Sequence, residues 1–194
     1  MPPRAKITKE MIVDAAFAVA RASGMENINA RTVSQRLGCS TQPVLWHFKT
    51  IADIKKAAYE KADRFHTESV LNMHGGDPMK DIGLNYIRFA ATEKNLFRFI
   101  FQSDEFSGKS LSELINGGEF APLYGMLSQQ AQTDMEQAKV IFKSLFLYVH
   151  GYASMLANNA MQYDEEEISK DLELIFEGAV YAAEKGGKGD EKAL

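Results

Sequence analysis

The sequence is poor in cysteine, tryptophan and proline. Cys39 is the one cysteine among 194 residues, which excludes a disulfide framework and favours a reducing compartment. Of five prolines, two belong to the leader, while Pro43, Pro78 and Pro122 fall near the predicted starts of helices. A missing backbone N–H costs little at a helix start, so proline does not argue against a helical chain.

Long apolar runs are also scarce. No run approaches the roughly 20 residues that a membrane span needs. Residues 1–6 lead into an amphipathic segment without the apolar core of a signal peptide. We therefore expect a cytoplasmic protein with no membrane partner. The hydrophobic share of 45% suffices for a core that needs neither disulfide nor metal.

Charge is distributed unevenly along the chain. The net charge of −4 comes from 22 basic and 26 acidic residues, which taken alone disfavours a nucleic-acid ligand. Residues 1–60, however, contain nine Lys or Arg against five Asp or Glu, a balance of +4, and the remainder carries −8. This asymmetry indicates two segments with different tasks, the basic one suited to a polyanion.

Hydrophobic spacing of three and four predicts an all-α fold of about nine helices. The first helix begins after Thr8 and ends at Gly24, the second follows Asn29 and ends at Gly38, and a third follows Ser40. We predict a helix-turn-helix DNA-binding domain over residues 1–54, with a connecting helix over 50–72.

The remaining chain is predicted to form a second helical domain over residues 73–186, followed by a disordered tail over 187–194. Its two closing helices begin at Thr133, as the capping box Thr133-x-x-Glu136, and near Asp164. Asp164 and the three glutamates after it are explained by the helix macrodipole and indicate no metal site.

Residues 29–48 carry the strongest local motif, a short amphipathic helix, a glycine turn and a second short helix. Gly38 supplies the positive φ of the turn. Apolar spacing directs four side chains inward: Val33, Leu37, Val44 and Phe48. That leaves five residues to face outward, where glutamine can read adenine and threonine can contact bases: Thr41, Gln42, Pro43, Trp46 and His47.

These residues identify a family resemblance. Residues 8–58 resemble the N-terminal domain of the TetR family of transcriptional regulators, through the run from Val33 to Ser40, the Trp46-His47-Phe48 ending and the apolar anchor Ile54. Leu45 and Ile51 stand where that family usually has a phosphate-contacting Tyr and Lys, so Lys49, Thr50 and Lys55 are the expected substitutes. The DNA-binding residues so predicted are Asn29, Arg31, Ser40, Thr41, Gln42, Pro43, Leu45, Trp46, His47, Lys49, Thr50 and Lys55.

The resemblance also implies that residues 73–186 sense a ligand and form a homodimer on a double-stranded DNA operator. Because the last two helices are apolar on more than one side, they suit a four-helix interface between two copies. The predicted interface residues are Leu145, Val149, Tyr152, Met155, Leu156, Leu172, Ile175, Phe176, Ala179 and Val180.

A pocket for a small apolar or amphipathic effector of unknown identity is expected in the same domain. Its predicted lining is Tyr86, Phe89, Phe97, Phe101, Tyr124, Met126, Phe142, Phe146 and His150. The alternative for each of these residues is a place in an ordinary core.

Two other functions stay open at this point. An all-helical enzyme would need a convergent set of polar groups, and none stands out; the four histidines lack the spacing of a zinc site. We therefore expect no enzymatic activity, metal or cofactor. An all-helical protein-interaction module that has lost DNA binding is the other alternative, favoured by Leu45 and Ile51.

Overall fold

The computed structural model describes residues 7–103, 108, 110–159 and 161–187, and within them the protein is all-helical. This confirms the predicted all-α class, with ten α-helices and one 3₁₀ turn in these residues where about nine helices are predicted. The helices are α1 (Lys9–Ser23), α2 (Ala30–Leu37), α3 (Thr41–His47), α4 (Ile51–Val70), α5 (Pro78–Thr92), α6 (Lys94–Phe101), α7 (Leu111–Asn116), α8 (Ala121–Ala131), α9 (Met135–Asn158) and α10 (Glu165–Gly187), and the 3₁₀ turn is Met25–Asn27.

The chain divides into two compact units. The first comprises residues 1–68 and 92–104, and the second comprises residues 69–91 and 105–194. The predicted division after residue 72 differs from this one in two respects: the boundary falls after residue 68, and α6 clusters with the first unit. The contacts responsible are local to α1: the Arg21 guanidinium pairs with the Glu93 carboxylate, and Asn95 Nδ2 donates to the Arg21 carbonyl over 3.1 Å.

The first unit is built around α1. Thr8 caps this helix by accepting from the Met11 N–H, and Gly24 ends it with a φ of +95°, as predicted. The buried face of α1 contains Ile12 and Ala16, which are fully buried. Other helices complete the core with buried apolar side chains: Val33 and Val44 from α2 and α3, Ile54, Ala58 and Ala62 from α4, and Leu96, Phe97, Phe99 and Ile100 from α6.

The second unit is built around α9, which packs against α8 and α10. Helix α5 also approaches closely, because at Gly83 a Cβ atom would lie only 3.2 Å from a methyl group of Leu172. Ion pairs join α5 to α10 at Lys80–Glu173 and Arg88–Glu165. Helices α7, α8, α9 and α10 share a core of buried residues: Ile115, Tyr124, Leu127, Ala138, Ile141, Phe142, Ala179 and Ala183.

The start of α9 differs from the prediction. Asp134, not Thr133, is the N-cap, and its carboxylate accepts from the Gln137 N–H over 2.8 Å. The Thr133 hydroxyl is buried and has no hydrogen-bond partner among the described residues. The predicted start of α10 is confirmed, since the Asp164 carboxylate accepts from the N–H groups of Glu166 and Glu167.

This cap assignment makes a testable prediction. Asp134→Ala should lower the free energy of unfolding by about 1 kcal/mol, since one capping hydrogen bond is lost. Thr133→Val, which removes a buried hydroxyl without a partner, should leave stability unchanged or raise it. Chemical denaturation followed by circular dichroism measures both. A larger loss of unfolding free energy for Thr133→Val than for Asp134→Ala would show that Thr133 is the N-cap, as the sequence predicts.

Helix α9 also corrects the expectation that no segment approaches a membrane span. Met135–Asn158 is long and apolar enough to cross a membrane by length and composition. A third of its most apolar 18-residue stretch is buried within the protein. The predicted tail over 187–194 begins within α10 at Gly187, and residues 188–194 lie outside the described part of the chain.

Candidate nucleic-acid interface

The connection between α2 and α3 is a tight left-handed turn. Gly38 has φ +63° and ψ +32°, a conformation that glycine adopts without steric cost. The Gly38 N–H donates to the Gln35 carbonyl over 3.2 Å, and the Cys39 N–H donates to the Ser34 carbonyl over 3.0 Å. These bonds satisfy the last carbonyls of α2 and let α3 begin three residues after Gly38.

Helix α3 has one buried face and one exposed face. Val44 is fully buried, and Phe48, directly after the helix, is almost fully buried beneath the Lys9 ammonium group, 5.2 Å from the ring centroid. On the other side, 51% of Leu45 and 76% of Trp46 are exposed. Thr41 and Gln42 are exposed beside them. The helix therefore presents two polar and two large apolar side chains to a partner.

The stretch of sequence that contains α2 and α3 carries only basic charges. Residues 27–52 contain Arg31, Arg36 and Lys49 and no Asp or Glu. All three basic side chains are exposed. Arg36 is absent from the predicted DNA-binding set, and the lack of acidic residues in this stretch is the signal that could have found it. Such a surface favours a polyanionic ligand.

Three of the predicted DNA-binding residues also hold the local structure. Asn29 caps α2 by accepting from the N–H groups of Arg31 and Thr32, both over 3.0 Å. Thr50 caps α4, since its hydroxyl accepts from the Asp53 N–H over 3.1 Å. His47 Nε2 donates to the Ile7 carbonyl over 3.0 Å. Ser40 is exposed, and Pro43 and Lys55 are half-buried.

The residues predicted to line an effector pocket are divided between the two units. Phe97 and Phe101 belong to the first unit, where Phe97 is fully buried and the two ring centroids lie 4.8 Å apart. The other seven belong to the second unit. The aromatic side chains Phe97 and Phe101 of α6 therefore pack within the first unit.

In the second unit the predicted pocket residues pack on one another. Phe146 stacks against Phe142 at 5.9 Å and against His150 at 5.6 Å between ring centroids. The Tyr86 hydroxyl lies 2.8 Å from His150 Nδ1. Burial lowers the pKa of His150 and raises the pKa of Tyr86, so both groups are neutral at pH 7. Phe89 and Tyr124 are buried, and Met126 is half-buried.

Two cavities in the second unit are lined by residues outside the predicted pocket set. One, of about 50 Å³, is lined by Asp77, Met79, Lys80, Gln130, Leu145, Leu172, Glu173 and Phe176. A broader groove of about 330 Å³ is lined by Gln130, Ala131, Phe176, Glu177, Val180, Tyr181 and Glu184. Pockets for drug-sized ligands have volumes of roughly 300–1,000 Å³, so the first cavity is too small to hold one.

The predicted dimer residues divide by exposure. Val149, Leu156, Leu172 and Ala179 are buried within their own chain, and Leu145, Tyr152, Ile175, Phe176 and Val180 are half-buried. Met155 is exposed. Sequence reasoning missed five exposed apolar residues on the same two helices: Met135, Val140 and Leu147 on α9, and Leu174 and Tyr181 on α10. Helical spacing shows that both faces are apolar but not which face the chain itself covers.

No family model matches the chain, and a comparison with curated protein sequences also finds no match. Within the described residues, no group of three or more His, Cys, Asp or Glu side chains is placed to hold a metal ion. Among the described residues, the exposed face of α3 and the basic residues near it in sequence are the features that indicate a function.

Proposed function

We propose that this protein is a DNA-binding transcriptional regulator, of the repressor type, in which α2 and α3 form a helix-turn-helix. The observation that carries the proposal is the exposed face of α3, set in a 26-residue stretch with three basic and no acidic residues. The resemblance of residues 8–58 to the TetR family supports the same function. In this arrangement α3 enters the major groove of DNA.

The side chains around α3 have separate roles in the proposed complex. Arg31, Arg36 and Lys49 contact phosphates, which position the protein and supply affinity that depends on salt. Gln42 and Thr41 reach base edges from the first turn of α3. Asn29 and Thr50 act indirectly, because their side chains hold the starts of α2 and α4.

A homodimer is the proposed binding form. Val140, Leu147 and Met155 lie on one side of α9, and Leu174 and Tyr181 lie on one side of α10, and all five are exposed. Exposed apolar side chains at this spacing are typical of an interface. A homodimer carries two copies of α3, and a near-palindromic operator offers two half-sites about 34 Å apart for them.

We also propose that a small apolar or amphipathic effector releases the operator. Since Phe142, Phe146 and His150 are packed against one another, the effector must bind a conformation in which this aromatic set has opened. A ligand that favours the open conformation shifts the population toward it and changes operator affinity.

A salt titration tests DNA binding. With about six phosphate contacts, the affinity for a random-sequence duplex should fall roughly 40-fold for each twofold rise in salt, since each contact contributes a slope of about −0.9. Fluorescence anisotropy with a labelled 30-base-pair duplex at several salt concentrations measures the slope. If no duplex is bound at low salt, the proposed function is wrong.

Two matched lysine variants test whether the salt dependence comes from the surface around α3. Lys49→Gln should reduce the slope by about 1.8 in the proposed homodimer, because each of the two copies loses one phosphate contact. Lys143→Gln removes an exposed lysine of α9 and should leave the slope unchanged. Equal changes for the two variants would show that binding depends on net charge and not on the surface around α3.

A protein-interaction module is the second candidate. The large exposed area of Trp46 and Leu45 favours it, because tryptophan is enriched in protein interfaces. Such a module would bind no duplex at low salt, so the same titration distinguishes the two functions.

A further inference from the structure

The composition of the α3 surface points to the bases that it contacts. At 100° per residue, Thr41, Gln42, Leu45 and Trp46 occupy an arc of about 140° on this helix. All four are exposed, while Val44 is buried on the other side. This recognition arc, as we call these four residues, contains one amide, one hydroxyl and two large apolar groups, and no charged side chain.

Each base pair needs a different partner in the major groove. Guanine is read through its O6 and N7 acceptors by Arg or Lys, and cytosine through its amino group by Asp or Glu. Adenine is read by the two-ended amide of Gln or Asn, and thymine is distinguished by apolar contact with its methyl group. The recognition arc has partners for adenine and thymine and none of the charged partners for guanine or cytosine.

We propose, on the basis of the proposed function, that α3 selects A·T base pairs by contacting thymine methyl groups with Leu45 and Trp46 and adenine with Gln42. The large exposure of the two apolar side chains supports this role. Their contact with methyl groups removes apolar surface of both partners from water. The basic residues outside the arc then supply affinity without selecting sequence.

Selection from a random duplex library identifies the preferred sequence. The expected result is A·T base pairs at the centre of each half-site. The selected duplex is then remade with uracil in place of thymine at those positions, which removes only the methyl group. Each contacted methyl should contribute about fourfold to affinity, since burying one apolar carbon contributes about 0.8 kcal/mol.

Substitutions on the recognition arc test which side chains are responsible for the loss of affinity on uracil duplexes. Leu45→Ala and Trp46→Ala should bind thymine and uracil duplexes more equally, and Gln42→Ala should no longer distinguish adenine from 7-deazaadenine at its contact. Leu71→Ala, an exposed leucine outside the arc, should retain the full preference for thymine. Replacing guanine by 7-deazaguanine at flanking positions should have no effect.

The outcomes separate the inference from the proposed function. If the library yields no bound duplex even at low salt, the proposed function and the inference both fail. If a duplex is selected but uracil binds as well as thymine, or its half-site centres are G·C, the inference is overturned and DNA binding stands. A thymine preference that Leu45→Ala and Trp46→Ala leave intact also overturns it.

Discussion

Phe97→Ala should lower the free energy of unfolding of the first unit by about 3–5 kcal/mol. Phe97 is fully buried and packs against Phe101 within the first unit. Removing a buried aromatic ring loses its transfer free energy and leaves a cavity that the surroundings fill only partly. Urea denaturation followed by circular dichroism measures the loss.

The control for this experiment is Leu45→Ala, which truncates an exposed side chain and should change stability by less than about 0.5 kcal/mol. The comparison distinguishes a core residue from the lining of an open pocket. A loss below about 1 kcal/mol for Phe97→Ala would favour the pocket predicted from aromatic spacing over the packed core.

The double variant Leu147→Glu, Leu174→Glu should convert the proposed dimer into a monomer. Both leucines are exposed, at 49% and 67%, so the substitutions leave the chain's own core intact. In a dimer they would bury four unpaired carboxylates, which is strongly unfavourable. Sedimentation velocity gives the oligomeric state, and circular dichroism confirms that the fold is retained.

Operator affinity should fall on the order of 100-fold or more in the same variant, because the second half-site then binds independently and the high effective concentration is lost. Leu71→Glu is the matched control, since Leu71 is also exposed but lies outside α9 and α10. If the double variant remains dimeric, the interface lies elsewhere. If the wild-type protein is monomeric at micromolar concentration, the proposed homodimer is wrong.

Local signals in the sequence predicted the starts and ends of the first helices well. Asn29, Gly24 and Gly38 act through their own backbone neighbours, so their roles could be recognised from residue type and spacing. The same local signals did not identify the N-cap of α9. Thr133 and Asp134 are adjacent and both suit an N-cap, and the backbone conformation of Asp134 decides between them.

The distribution of buried surface could not be predicted in the same way. Aromatic residues 97 and 101 have the spacing of one face of α6, but spacing does not say which unit covers that face. The same limit applied to α9 and α10. Both faces are apolar in sequence, and only the packed structure shows that Val149 and Leu172 are covered while Leu147 and Leu174 are not.

By itself the sequence determined the all-α class, the boundaries of the first helices, the turn at Gly38 and the basic character of the stretch around α3. These properties depend on residues close together in the chain. The tertiary structure alone decided that α6 belongs with α1. It also decided that the aromatic set of the second unit is packed, and that Leu45 is exposed. Burial depends on which distant segments meet, and a pattern of residue types in one segment does not specify its partner.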